Sequence, residues 1–215
     1  EYDNLVQALK SGKGPLQVTG TLDSQKVHLM YELGEASAFA WKLVVTYDDT
    51  RAKEIYDDLR SFTSRVWLYP AKDLLFYSAD IHGNLMARQR IAVLRRLMED
   101  REGVVVTTMD GLMDHLLPLK YLREQSITVE SGQVIDLDAW KECLIAMGYE
   151  RVAQVDGMGQ FSIRGGIVDI FPLTEEVPVR IELWDDEVDS IRTFDLESQR
   201  SVEQLENITI YPAAE

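Results

Sequence analysis

Cysteine is almost missing from this 215-residue sequence, which has only Cys143. One cysteine excludes a disulfide framework within the chain and is typical of a reducing compartment, so we expect the cytoplasm. No apolar run reaches the roughly 20 residues that cross a bilayer, and no signal peptide is visible. The histidines His28, His82 and His115 are far apart and lack metal-ligand spacing. We therefore expect neither a membrane partner nor a metal site.

Positive charge is also scarce. The 22 Lys and Arg residues face 37 Asp and Glu residues, which gives a formal net charge of −15. A chain this acidic repels a polyanion at long range, so the composition favours a protein partner over DNA or RNA. One basic stretch invites a DNA interpretation, but acidic residues follow it directly, and it is typical of a solvated helix face; it contains Arg88, Arg90, Arg95 and Arg96.

The first half of the chain alternates short apolar strands with amphipathic helices. The pattern predicts strands at 16–20, 42–47, 65–70 and 103–108, and helices at 24–33, 48–62 and 87–98. Within the second helix, the positions on one face are Ala52, Ile55, Tyr56 and Leu59. This alternation predicts an α/β domain whose parallel sheet is covered on both faces.

The second half has a different pattern, in which one helix at 137–148 precedes strands joined by short turns of Gly, Pro and Asp. The predicted strands are 150–155, 159–165, 166–172, 177–184, 187–195 and 206–212. This pattern predicts an α+β domain with an antiparallel sheet, and a boundary near 117–125. The final residues, "NITIYPAAE", complete a strand and stop at an unfinished connection, so we expect a fragment of a longer protein.

A degenerate phosphate-binding loop lies at "GTLDSQKV". A working loop has Gly, four residues, Gly, Lys and then Ser or Thr. Gly20 and Lys26 are in place, but Gln25 replaces the second Gly, Val27 replaces the magnesium-binding hydroxyl, and Asp23 adds negative charge where phosphate would bind. We interpret the segment as the remains of a nucleotide site in a RecA-like fold, and chance spelling is the alternative. No live ATP site, and no cofactor, is expected in this chain.

The second half carries the most specific pattern. "GQFSIRGGIVDIFP" (159–172) is followed by "VRIELWDDEVDSIRTFD" (179–195), and "GYERV" (148–152) precedes both. This composite resembles a region shared by UvrB and the Mfd family of transcription-repair coupling factors. The resemblance implies a UvrB-type first domain at 1–116, an inserted second domain at 117–207, and the start of a return into the first domain at 208–215.

Two departures favour the coupling factors over UvrB. UvrB has an intact phosphate-binding loop, and it has a long Tyr-rich hairpin after the third strand, where this chain passes almost directly into a helix. The resemblance implies a non-catalytic module that recruits UvrA for nucleotide excision repair and is masked by a C-terminal domain of the full-length protein. ATP-driven DNA translocation and contact with RNA polymerase would belong to C-terminal domains. The alternative is a piece of a UvrB-type nucleotide-dependent repair helicase.

The resemblance also implies which residues bind UvrA. In UvrB the binding surface is a patch of Arg and Glu, and the matching positions here are Arg151, Arg164, Arg180 and Glu182, with Phe171 as a candidate aromatic contact. Ser162 stands where UvrB has a further Arg. Without the resemblance, Arg180 and Glu182 are as readily a surface ion pair. Phe171 is expected to lie in the core or at the edge of the interface, and Trp184 in the core. We find no catalytic set of residues.

Overall fold

The computed structural model describes residues 2–12, 14–37, 39–72, 80–116 and 118–213. Its helices and strands, in chain order, are α1 (Tyr2–Lys10), α2 (Asp23–Ala36), β1 (Trp41–Thr46), α3 (Asp49–Arg60), β2 (Val66–Tyr69), α4 (Asp80–Glu99), β3 (Gly103–Thr108), α5 (Met109–Met113), α6 (Leu119–Gln125), β4 (Ile127–Glu130), α7 (Leu137–Ala146), β5 (Glu150–Arg151), β6 (Gln160–Arg164), β7 (Ile167–Ile170), β8 (Val179–Trp184), β9 (Glu187–Phe194), β10 (Ser201–Leu205) and β11 (Asn207–Ile210).

The chain is a mixed α/β protein with parallel and antiparallel sheets, as the sequence predicted. The described residues form two compact units. The first holds those within 1–72 and 99–114, and the second holds those within 73–98 and 115–215. The ranges 1–116, 117–207 and 208–215 stay a prediction, because a compact unit differs from a domain defined by family resemblance. None of the helices in the described ranges is both long and apolar enough to cross a membrane.

The first unit is built on a parallel sheet with the strand order β1–β3–β2. α3 begins after Asp48, whose carboxylate accepts the Arg51 backbone N–H at 2.7 Å. Capping of this kind satisfies a donor that the first helical turn leaves unpaired. The predicted apolar face of α3 is buried in a cluster with Val27 of α2 and with β2 and β3; its buried members are Ala52, Ile55 and Leu59.

The predicted strand at 16–20 does not form. Residues 14–19 have no regular secondary structure, and Leu16 and Val18 are both exposed. Alternating apolar residues give a segment strand propensity, but a strand also needs a neighbour that accepts its backbone hydrogen bonds. No strand of the described chain pairs with this segment. The degenerate loop therefore follows an irregular segment rather than a strand.

The second unit contains a six-stranded sheet with the order β10–β9–β8–β7–β6–β5, antiparallel except between β5 and β6. One of its faces packs on α7. The core between them is apolar, and its fully buried members include Leu144, Phe161, Val168, Ile170, Ile181 and Ile191. β11 pairs with β4 and adds Ile208 and Ile210 to the same core. β5 is shorter than predicted, and β10 was not predicted, because its five residues are largely exposed and lack alternating burial.

The basic stretch on α4 is only in part the solvated face that the sequence predicted, since Arg96 is exposed but other members are not. Arg90 is buried, and the Arg95 guanidinium lies 2.9 Å from a carboxylate oxygen of Glu175 and 5.7 Å from the Tyr211 ring centroid. Helical spacing alone could not show this, because these contacts come from segments about 80 and 115 residues further along the chain. Within the second unit Arg95 has a structural contact that makes it a poor candidate for binding DNA.

Candidate partner-binding surface

The face of the six-stranded sheet opposite α7 carries a row of polar side chains. Side chains alternate across a strand, so Arg164 of β6 and the pair Arg180 and Glu182 of β8 all lie on the face away from the apolar core. The register aligns them, because Ile167 of β7 is the partner of both Arg164 and Glu182. The structure therefore brings together three of the residues that the resemblance implied.

Asp169 of β7 joins two of these arginines. Its carboxylate is 1% exposed, and it accepts hydrogen bonds from Arg164 Nη2 at 2.6 Å and from Arg180 Nε and Nη2 at 2.6 and 2.9 Å. The two bonds from Arg180 form a bidentate pair, the strong geometry for guanidinium and carboxylate. One buried negative charge thus holds two positive charges, and the Arg164 side chain keeps 48% of its surface in solvent. The Arg164 guanidinium is therefore held by Asp169 and is still half-exposed.

Arg180 is the more deeply held of the two. Its guanidinium stacks 4.7 Å from the Phe194 ring centroid and donates to the Gln199 carbonyl at 3.1 Å. The hydrogen bond to Asp169 raises the pKa of Arg180 above its ordinary value, and burial opposes that rise. With 14% of its side chain exposed, Arg180 supports the surface more than it reaches outward.

Asp169 and Arg192 are polar residues of this face that the sequence analysis missed. Arg192 of β9 is the register partner of Arg180, so the two arginines are cross-strand neighbours on the same face. On the neighbouring row, Ser190 donates to the Glu182 carboxylate at 2.8 Å. A signal for Asp169 was present, because a carboxylate in the apolar strand "IVDIF" must be buried, and a buried charge needs a partner.

Two other predicted residues lie apart from this row. Arg151 is exposed, but β5 pairs it with Phe161, whose side chain faces the opposite, core side. Phe171 is 5% exposed and packs in a small cluster with Val155 and Phe194. It therefore belongs to the same apolar cluster as Phe194, the ring on which Arg180 stacks. A partner contact by either residue stays a prediction.

Trp184 is not the core residue that the sequence suggested. Its residue surface is 82% exposed, and it lies two positions beyond Glu182 on β8, on the same face as the polar row. Its register partner is Glu187 of β9, and Val134 bridges to Glu187 from the other side. Aromatic residues are usually buried, so composition favoured the core, but the strand alternation places Trp184 on the open face.

The degenerate loop leads into α2 in the first unit, and its charged groups bind one another. Lys26 Nζ lies 2.9 Å from an Asp23 carboxylate oxygen, and Arg51 approaches the same oxygen at 3.4 Å. The hydrogen bond from Lys26, followed by the charges of Lys26 and Arg51, lowers the pKa of the Asp23 carboxyl. Lys26 would reach a phosphate in a working loop, but here it forms an ion pair with the Asp23 carboxylate.

The remaining loop positions have structural roles. Gln25 Oε1 accepts the Leu22 backbone N–H at 3.2 Å, just ahead of the first turn of α2. Val27 is 2% exposed and belongs to the apolar core of the first unit. Gly20 has a φ of +81°, a conformation that favours glycine. Across the described ranges no group of three His, Cys, Asp or Glu side chains is arranged to hold a metal ion.

Comparison with known proteins gives two findings. Residues 127–215 match the family model described as the UvrB interaction domain. The chain is 35% identical over 217 residues to the transcription-repair-coupling factor of Staphylococcus aureus strain MRSA252, covering 99% of this chain and 18% of that relative. It is 38% identical over 174 residues to the transcription-repair-coupling factor of Bacillus subtilis strain 168, covering 80% of this chain and 15% of that relative.

Proposed function

Since residues 127–215 belong to the UvrB interaction domain family and the chain is homologous to the N-terminal region of transcription-repair-coupling factors, we propose that it is a UvrA-recruiting module. In this proposal the open face of the six-stranded sheet binds UvrA, and the chain contributes recognition rather than catalysis. The observation that carries it is the Arg164–Asp169–Arg180 cluster, which presents a fixed, half-exposed guanidinium on the second unit.

The arginines of the open face support an acidic partner surface. Arg164, Arg180 and Arg192 gather on this face, in a chain whose formal charge is −15. A guanidinium fork offers two parallel hydrogen bonds to a carboxylate and remains charged at all physiological pH values. Because Asp169 already fixes both arginines, binding requires little further ordering of those side chains.

The first unit carries none of the residues of the proposed UvrA-binding surface. We propose that the first unit is a RecA-like nucleotide-binding domain whose site has been lost, and that neither it nor the second unit is catalytic. Translocation on DNA and displacement of RNA polymerase would be carried out by other domains of the full-length, cytoplasmic protein. A C-terminal domain of that protein would cover the UvrA-binding surface until the factor is engaged.

The test is the affinity of the chain for purified UvrA, measured by calorimetry for the parent and for Arg164→Ala and Arg164→Glu. If UvrA places a carboxylate on Arg164 and excludes water, the alanine variant loses about 2–5 kcal/mol, because the partner charge is left without its pair. The glutamate variant loses more, since repulsion is added. Arg123→Glu, at an exposed position of α6 in the same unit, is the matched control and leaves affinity unchanged.

Melting temperature separates loss of the surface from loss of the fold. Arg164 is half-exposed, so both variants are expected to melt close to the parent. A folded Arg164→Glu variant that binds UvrA as tightly as the parent would show that the interface lies elsewhere. Absence of UvrA binding by the parent itself would refute the proposed function.

A further inference from the structure

Trp184 is an exposed tryptophan on the open face of the six-stranded sheet. It is 82% exposed, whereas Trp140 in the core of the same unit is 9% exposed. Burial of an indole releases free energy, so an indole left in water is less favourable by that amount. Single exposed apolar residues are common, so exposure alone is not informative. The exposure of Trp184 becomes informative because of its position in the fold, beside two hairpin turns.

Two neighbouring hairpin turns lie at the same end of the strands. One joins β6 to β7 through Gly165 and Gly166, and the other joins β8 to β9 after Trp184. The Gly166 carbonyl accepts the Leu183 N–H at 2.7 Å, so the register continues and brings Gly165 beside Trp184. Gly165 has a φ of +60°, and a Cβ built on it would meet no atom within 4 Å. One side of the indole therefore lies beside bare backbone and open space.

Arg164 borders the same gap from the other side, because it directly precedes Gly165. Two strand spacings, about 10 Å, separate β6 from β8. The gap therefore has a fixed cation at one end and an indole at the other, with the backbone of Gly165 and Gly166 between them and Ile167 of β7 at its border. We define this feature, Arg164 to Gly166 together with Trp184, as the glycine notch.

We propose that the glycine notch is the centre of the partner-binding surface and that Trp184 is its aromatic anchor, binding a partner loop with an apolar side chain beside a carboxylate. The inference rests on the proposed function and names the chemistry that UvrA would supply. Trp and Arg are the side chains most enriched among residues that dominate binding energy, and such residues cluster at the centre of an interface.

The surrounding charges orient this loop. Asp185, Asp186 and Glu187 follow Trp184 on the side away from Arg164. They repel a partner carboxylate there, whereas Arg164 attracts one at the opposite end of the notch. The carboxylate is therefore placed on Arg164 and the apolar group on Trp184, and the reverse arrangement is disfavoured.

The experiment compares UvrA affinity, by calorimetry, for the parent, Trp184→Ala, Trp184→Phe and the control Val202→Ala. Val202 is a similarly exposed apolar residue on β10, at the edge of the same sheet. We expect Trp184→Ala to weaken binding by about thirtyfold, the level of a dominant interface residue, and Trp184→Phe to weaken it less. Val202→Ala is expected to stay within about twofold of the parent. Because Trp184 is exposed, the variants are expected to melt with the parent.

Acrylamide quenching provides a second readout that does not depend on a substitution. Free chain shows a readily quenched emission component that is missing from Trp184→Phe, and saturating UvrA protects that component. Trp184→Ala could bind UvrA within about twofold of the parent while Arg164→Glu loses binding. In that case the proposed role of the glycine notch is wrong and the proposed function stands. If the parent does not bind UvrA, both fail. Self-association that protects Trp184 and is lost in Trp184→Ala assigns the notch to a second copy and overturns the proposal.

Discussion

Asp169 shows how a single side chain can organise a surface. A carboxylate that is 1% exposed is tolerated only where nearby groups replace the water it has lost, and three hydrogen bonds from Arg164 and Arg180 do so. The arginines depend on Asp169 in turn, because the two guanidinium groups cannot both be held in place without the carboxylate between them. Asp169 is therefore a positioning residue for the surface, although it has almost no surface of its own.

Asp169→Asn is expected to lower both stability and UvrA affinity. The neutral amide cannot balance two guanidinium groups, so unfolding should become easier by about 2–3 kcal/mol, less than a fully buried pair would lose because Arg164 is half in solvent. Chemical denaturation measures this change. UvrA affinity, measured on protein shown to be folded, should fall because Arg164 is no longer held.

A double-mutant cycle distinguishes positioning from general destabilisation. In an Arg164→Ala background, Asp169→Asn should change UvrA affinity much less than it does alone. Asp189→Asn, at an exposed carboxylate of β9, is the control and should change neither property. Equal, additive effects of Asp169→Asn in both backgrounds would contradict a positioning role.

At the scale of elements, the β6–β7 hairpin depends on its two glycines for different reasons. A glycine allows close approach of another backbone, and for Gly166 that backbone is the neighbouring strand β8. A Cβ added to Gly166 would lie 2.9 Å from the Leu183 carbonyl oxygen, whereas Gly165 needs glycine for its positive φ. Backbone atoms cannot move aside as a flexible side chain can.

Gly166→Ala is therefore expected to be destabilising by about 1–3 kcal/mol, the range for inserting a methyl group where no space exists. Thermal unfolding checks the change. Gly157→Ala is the control, because its Cβ would meet only the Gln160 side chain, at an ordinary 3.8 Å. A melting temperature for Gly166→Ala equal to that of the parent would mean that β7 and β8 separate at little cost.

The N-terminus of α2 resembles that of an ordinary helix and not that of an anion-binding site. An anion site at a helix N-terminus needs free backbone N–H groups and a cation that can turn toward the ligand. Here Gln25 caps the Leu22 N–H, Asp23 occupies Lys26, and Val27 is buried. The sequence named these positions correctly as departures from the motif, and the structure shows the contacts that each one makes.

Mg-ATP is accordingly expected to show no saturable binding to the chain in the micromolar range by calorimetry. Phosphate would have to displace the Asp23 carboxylate from Lys26 and would then lie beside that negative charge. Lys26→Ala should give the same flat titration as the parent. Saturable heat in the parent that disappears in Lys26→Ala would show a live site.

For the whole molecule, charge decides which polymers can approach. A formal charge of −15 repels DNA beyond the few places where arginines gather, and the arginines of the open face are partly neutralised by Asp169 and Glu182. Arg95, on the basic stretch of α4, is bound to Glu175. The described part of the chain therefore shows no continuous basic stripe of the kind that a duplex requires.

No retarded band is expected in a gel shift with double-stranded DNA and submicromolar chain in about 150 mM salt, where charges are screened beyond ~8 Å. Lowering the salt should not produce one, because repulsion grows as screening falls. A band that strengthens at low salt and is lost in Arg164→Glu would instead make the open face a nucleic-acid surface.

The sequence by itself determined the class of each half, most of the strands and helices, and the family resemblance, because periodicity and turn residues act over a few positions. The resemblance also pointed to Arg164, Arg180 and Glu182, which the structure places on one face of the sheet, and their role in binding stays a prediction. Only the tertiary structure decided which residues share a surface: it joined Asp169 to two arginines, buried Phe171 and exposed Trp184. These outcomes depend on strand register and on the single face that α7 covers, so they involve residues that no local pattern connects.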